Sequence, residues 1–332
     1  MLSGLILGGC TQSSSIPSSE EVIELKFATH IPPMASVVKN WGEWGKKLEA
    51  ATDGRIKMTM YPAGSLVSFA DTYPGLLGGV CDITSVMAWD IPEQALETVY
   101  CLPMLDWKSD DILDIRKDVE KEFPQIAEGR SAVKTLWVHS HPFHVIHFTK
   151  SEPRVPDDVK GMKIAGVDSL RDYIAACGAT PIILNPPDFY MSLETGVVEG
   201  MFMSYEVLDT HKIYEVTNYH LNVRTATAVG SVIMNLEKWN SLPTDLQQII
   251  ESLAAETELL CFNDTMAGDK RVQESISGME GHTVIEPTEA ELALWKERAM
   301  PLHQEWIDKM EAKGLPGQAV YDKVTEVIAR YK

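Results

Sequence analysis

The stretch V-P-D-D-V-K-G-M-K-I-A-G, Val155 to Gly166, sets how the rest of the chain divides. Its Pro- and Asp-rich start, 153–158, suits neither a helix interior nor a central strand, and marks a candidate boundary between two α/β lobes. Lys163-Ile164-Ala165 then reads as a strand, Ser169 to Cys177 as a helix stopped by Gly178, and Thr180 to Leu184 as a strand. Pro187 to Thr195 is a helix with Gly196 past its end, and Glu199 to Met203 a strand. Such alternation builds a sheet flanked by helices.

The same alternation runs outward in both directions. Ile23 to Ala28 alternates apolar and polar residues as a half-buried strand does, and ends at the loop Thr29-His30-Ile31-Pro32-Pro33. Val37 to Ala51 is an amphipathic helix with Trp41, Trp44 and Leu48 on one face, stopped by Asp53-Gly54, and Arg55 to Tyr61 is a second alternating strand. Thr72 to Gly79 reads as helix, Cys81 to Met87 as strand, Asp110 to Glu128 as helix and Val133 to His139 as strand. Beyond the central stretch come a long helix from Leu242 to Ala267, another from Glu289 to Lys313, and a last one from Gln318 to Arg330. Ligands in α/β folds sit at the carboxyl ends of strands and between domains. The candidate site loops are therefore 29–33, 65–73, 87–91, 139–147, 165–171 and 203–206.

The 332 residues carry a net charge of −19, which argues against a nucleic-acid partner because phosphate binding needs a basic patch. A hydrophobic content of 45% is ample for two cores. At the N-terminus, Leu7-Gly8-Gly9-Cys10 resembles a lipobox, with Cys10 as the lipidation site and a Ser-rich tether after it. No Lys or Arg precedes the apolar run, which departs from the usual signal pattern, and the run is too short to span a bilayer. Cys81, Cys101, Cys177 and Cys261 lack C-x-x-C spacing and read as buried free thiols, with a Cys81–Cys101 disulfide as the alternative.

Five phrases carry a family resemblance. They are the opening stretch, Trp44 to Lys57 (W-G-K-K-L-E-A-A-T-D-G-R-I-K), Tyr61 to Leu66 (Y-P-A-G-S-L), Leu193 to Gly200 (L-E-T-G-V-V-E-G) and Met234 to Pro243 (M-N-L-E-K-W-N-S-L-P). Together they resemble, in order and separation, the DctP-like solute-binding proteins of TRAP transporters. The resemblance implies two α/β lobes, a periplasmic-binding-protein-like fold with hinge strands and a long C-terminal helical region. It implies a tether over 1–21, one lobe from 22–145 plus 225–262, and a second from 146–224 plus 263–332. It also implies a monomer without cofactor or enzymatic activity, held on the outer face of the cytoplasmic membrane, that passes a small organic solute to an ion-driven permease.

The positions that grip a carboxylate in the family depart from its pattern. The arginine of "leu-lys-gly-leu-lys-ile-arg" is replaced by Ala165, a second arginine by Ile146, and a polar position by Met203. A carboxylate taken from water needs fixed donors, ideally a guanidinium. Either Arg171 or Arg224 has taken over, or the ligand is an aromatic or less charged acid, a neutral solute or an amine. Phe69, Tyr73, Trp89, Phe143 and Tyr205 fall in or near the candidate loops and could stack on rings or enclose an ammonium group. Asp90, Asp168 and Glu206 could pair with an amine, or could equally be helix caps and surface acids. The solute is expected to dock near Trp89 and His30, with Met203, Ala165 and Tyr205 closing on it.

The run from Trp137 to His147 holds His139, His141, His144 and His147. His139 and His141 share a strand face, and clustered imidazoles suit zinc, nickel or copper. A metal-binding protein or metal-assisted hydrolase built on His139, His141 and His144 is therefore one alternative, although no H-E-x-x-H, G-x-S-x-G or Walker motif is present. Neutral hydrogen-bonding lining of the cleft, by His30, His141 and His144, is the reading preferred here. A ligand-binding sensor subunit is a further alternative, since uptake and sensing use the same closure.

Overall fold

The computed structural model describes residues 22–332. The first sheet begins with β1 (Ile23–Ala28), whose alternation buries Leu25 and Phe27. Helix α1 (Ser36–Ala51) crosses over to β2 (Ile56–Tyr61), burying Val38, Trp41, Trp44 and Leu48 on one face. Trp41 stacks on Phe27 at 4.9 Å and Trp44 meets Trp137 edge-on at 5.1 Å. Burying one ring of this size is worth roughly 4 kcal/mol. Helix α2 (Thr72–Leu77) leads to β3 (Ile83–Met87), and 3-10 turns run from Ala88 to Cys101. The helix expected over 110–128 is broken at Phe123–Pro124 into α3 (Ile112–Glu122) and α4 (Gln125–Glu128), because proline has no amide hydrogen to continue it. Then comes β4 (Val133–Ser140).

The chain now enters the second sheet with β5 (Val145–Phe148) and β6 (Lys163–Gly166). After α5 (Arg171–Ala176), β7 (Thr180–Ile183), α6 (Phe189–Glu194), β8 (Gly200–Met203), α7 (Tyr205–Thr210) and β9 (Tyr219–Leu221), it returns to the first sheet as β10 (Val229–Asn235). Helices α8 (Leu236–Ser241) and α9 (Thr244–Ser277) precede β11 (Thr283–Ile285), α10 (Glu289–Ala312) and α11 (Gly317–Ala329).

The first sheet has the order β2-β1-β3-β10-β4, with β10 antiparallel to both neighbours. The second has the order β11-β9-β5-β8-β6-β7. Two crossing segments, 141–144 and 222–228, lie side by side. His141 N donates to Ala228 O at 2.8 Å, His144 N to Ala226 O at 2.7 Å, and Thr225 N to His144 O at 2.9 Å. Gly230 is required near this hinge, since a Cβ there would sit 2.1 Å from Val86 O and 2.6 Å from the His139 ring. Helix α9 is a third crossing. Its Leu246, Ile250, Ala254 and Cys261 pack in the first lobe's core, and Ile276 in the second's.

The expected allotment of 263–332 to the second lobe needs correcting. Trp306, Ile307, Met310 and the buried face of α11 share one core with Val99, Ile112, Ile115 and Val119 of the first lobe. The start of α10 stays with the second lobe, where Tyr173 Oη donates to Trp295 O at 3.1 Å and Trp295 Nε1 to Arg154 O at 2.9 Å. The C-terminal helices thus strap the lobes together. All four described cysteines are free and buried, and burial pushes the Cys81 thiol up to about 11 and the other three to about 12.

Candidate functional site

A cavity of about 380 Å³ lies between the sheets, at the carboxyl ends of β1, β3, β6, β7 and β8. The loop after β1 brings His30, Ile31 and Pro32, the segment before α2 brings Phe69, and the turn after β3 brings Met87, Trp89 and Asp90. The hinge supplies His141, His144 and Ala228. The second lobe supplies Val167 and Asp168 after β6, then Ile183, Leu184 and Asn185 from the end of β7, and Phe189. Met203 ends β8, and α7 with the residue after it contributes Glu206, Val207, Thr210 and His211.

The lining is mostly apolar, and its charged residues are all acidic: Asp90, Asp168 and Glu206. No Lys or Arg among the described residues lines it. Asp90 Oδ2 accepts from Met87 N at 2.9 Å, and burial nonetheless raises the Asp90 carboxyl above its ordinary value. Glu206 Oε1 accepts from Thr210 Oγ1 at 2.9 Å, and burial raises it too, with Asp209 and Asp264 adding to the shift. Asp168 differs, because Arg171 holds it with Nη2 at 2.7 Å.

The imidazoles are neutral near pH 7. Burial lowers His30 and His141 to about 4 and His144 to about 3, and lowers His211 as well. His30 meets Phe69 edge-on at 4.6 Å. The Nδ1 atoms of His30 and His144 are buried and have no hydrogen-bond partner among the described residues.

Of the residues singled out from sequence, His30, Phe69, Trp89, Asp90, His141, His144, Asp168, Met203 and Glu206 come together at this cavity. Others lie elsewhere. Tyr73 packs against the core around Ala28 and Leu76. Ala165 is 1% exposed and sits with Phe189 and Met203 in the core cluster beneath the lining, because its strand is paired on both sides by β7 and β8. Tyr205 is buried and donates its Oη to Asn222 Oδ1 at 2.7 Å. Arg171 is spent on Asp168. Arg224 lines a separate polar pocket of about 130 Å³ with Tyr205, Asn222, Asp269 and Glu286. Phe143 lines that pocket too and packs near Trp107, 6.1 Å between centroids, and Ile146 is core.

Sequence reasoning missed Ile183 to Asn185, Phe189, Val207, Thr210 and His211. A signal existed for the first group, since Thr180 to Leu184 reads as a strand and its carboxyl end is a place where α/β folds put ligands. The metal alternative finds no geometry. The rings of His139 and His141 are 5.5 Å apart and edge-on, and His139 Nε2 is 3.1 Å from Ser85 Oγ. No group of three His, Cys, Asp or Glu among the described residues could hold a metal ion.

Comparison with known proteins agrees with this architecture. The family described as "DctP: Bacterial extracellular solute-binding protein, family 7" matches residues 27–309. The C4-dicarboxylate-binding periplasmic protein DctP of Rhodobacter capsulatus is 25% identical over 334 aligned positions, covering 94% of this chain and 97% of that protein. A TRAP periplasmic solute-binding protein from Desulfovibrio salexigens superimposes with a TM-score of 0.80 at 26% identity, over 93% of this chain and 97% of its own. A TRAP solute-binding protein from Rhodoferax ferrireducens, solved with copurified benzoate, has a TM-score of 0.84 at 21% identity, over 93% of this chain and 98% of its own.

Proposed function

The chain belongs to the bacterial extracellular solute-binding proteins of family 7, the DctP family, and from that premise we propose that it captures a small organic solute between its lobes and delivers it to a TRAP-type permease. The observation that carries this reading is the cavity of about 380 Å³ at the hinge, reached by loops from both sheets. Closure of two lobes about a few connecting segments is ordinary hinge motion, and it strengthens each polar contact by excluding water. His30, Phe69, Trp89, Asp90, His141, His144 and Met203 are the proposed ligand-contacting residues. Cys10 lies outside the described residues, and a lipid on it would keep a monomeric binding protein beside its permease. Among the described residues no helix is long and apolar enough to cross a membrane.

The reading is tested by thermal shift of the purified chain against acids, neutral solutes and amines, followed by uptake of the hit in cells carrying or lacking the cognate permease. A ligand that binds only the folded state raises the melting temperature. A hit whose uptake needs both chain and permease supports delivery. A hit whose uptake ignores this chain leaves capture standing and removes delivery.

A further inference from the structure

Two carboxylates in the cavity form no ion pair among the described residues. Asp168 has Arg171, whereas Asp90 and Glu206 have none, although Glu206 also borders an adjoining pocket lined by Lys39, Lys212 and Arg271. Asp90 and Glu206 come from opposite lobes, one from the turn after β3 and one from α7, and both line the same cavity. A carboxylate withdrawn from water needs compensation, and each of these has a hydrogen bond, from Met87 N or Thr210 Oγ1, but no ion pair among the described residues. A second observation points the same way. His144 is 3% exposed and lines the cavity, yet its Nδ1 has no hydrogen-bond partner, and His30 Nδ1 is in the same position. Burial keeps both rings neutral, so each can offer a lone pair. Most of the rest of the lining, including Trp89, Phe69 and Phe189, is aromatic or aliphatic, with Asn185, Thr210, His141 and His211 as further polar groups.

From this arrangement we infer that the solute is a protonated amine on an apolar, ring-sized body, its ammonium group held between Asp90 and Glu206. The inference rests on the capture of a solute proposed above and assigns its chemical class. The ammonium donates to the two carboxylates and to the free imidazole nitrogens, while the rings of Trp89, Phe69 and Phe189 cover the apolar body and offer faces to the positive charge. A carboxylate ligand would meet two like charges and no guanidinium, since Arg171 is engaged with Asp168 and Arg224 belongs to the other pocket. A neutral ligand would leave both acids uncompensated once water is excluded.

The test is isothermal titration of the purified full chain with apolar amines headed by 2-phenylethylamine, beside the matching carboxylate, phenylacetate, and the matching alcohol, 2-phenylethanol. The expected result is at least about tenfold tighter binding of the amine than of either counterpart, the scale of one charge-assisted contact. Asp90→Asn and Glu206→Gln, shown to be folded by circular dichroism, should each weaken the amine about tenfold and so bring its affinity towards that of the alcohol. If either variant fails to fold, the amine-to-alcohol ratio of the unmodified protein decides alone. Tighter binding of phenylacetate or 2-phenylethanol overturns the amine class and leaves solute capture intact. So does amine binding that neither variant changes. If no compound of the three classes binds or moves the melting temperature, the amine class and capture by this cavity fall together.

Discussion

Two regions of the molecule withdraw carboxylates from water, one fully and one in part, and they treat them in opposite ways. In the first lobe, Glu97 is 1% exposed and lies between two guanidiniums, Arg116 Nη2 at 2.9 Å and Arg130 Nε at 2.8 Å. Arg116 also donates to His139 O at 2.7 Å, and Arg130 pairs with Glu120 at 2.6 Å. In the cleft, Asp90 and Glu206 hold short-range hydrogen bonds but no ion pair among the described residues. The first arrangement closes within the chain and ties the 3-10 segment 92–101 to α3 and the end of β4. The second is closed by no ion pair among the described residues, and the amine proposed above would supply the missing charge.

That contrast can be broken by substitution. Glu97→Ala leaves two guanidiniums facing each other, and urea denaturation should show a loss of about 3–5 kcal/mol. Glu206→Gln should change stability by less than about 1 kcal/mol, because it breaks no ion pair and the amide oxygen can still accept from Thr210 Oγ1. Equal losses would mean that the two sites are alike. Next, Ala165→Arg places a guanidinium in a core position 1% exposed and should cost about 3 kcal/mol. A stable variant that gains phenylacetate binding would show that residue 165 reaches the cavity after all. Third, Trp89→Ala should weaken solute binding by about 1–3 kcal/mol in titration, the scale of an aromatic anchor. An unchanged affinity would remove Trp89 from the site.

A further test is pH. His30, His141 and His144 are held at about 4, 4 and 3 against an ordinary 6.5, so between those values the folded chain binds fewer protons than the unfolded one. Their contribution makes stability rise with pH over that window and fall on acidification. Asp269 works against them. Burial raises it to about 6 from 3.8, so there the folded chain binds more protons. Melting temperature should therefore be higher at pH 7 than at pH 5, and Asp269→Asn should steepen the difference. A flatter profile in that variant would contradict the sign.

Much of the first lobe was legible because its pattern is local. Alternation in β1 and the 41/44/48 spacing of α1 follow from one buried face each. β10 was not legible, since six of its seven residues are buried and alternation vanishes in a strand covered on both faces. The long helix was expected to stop at Ala267 and runs to Ser277, because its last turns pass between lobes and bury little. The site was half legible. Loops that end strands, with their aromatic and histidine residues, could be named, but whether Tyr73 or Phe69 faces the cleft could not.

By itself the sequence determined the two-lobed α/β plan and the family, because these rest on residue identity and short periodicities. Only the tertiary structure decided that Arg171 is engaged, that Arg224 lies in another pocket, that α11 straps the first lobe, and that Asp90 and Glu206 share one cavity without a cation. Compensation of charge is a property of distances across the fold, and residues as far apart in the chain as 90 and 206 have no fixed distance until the hinge sets it.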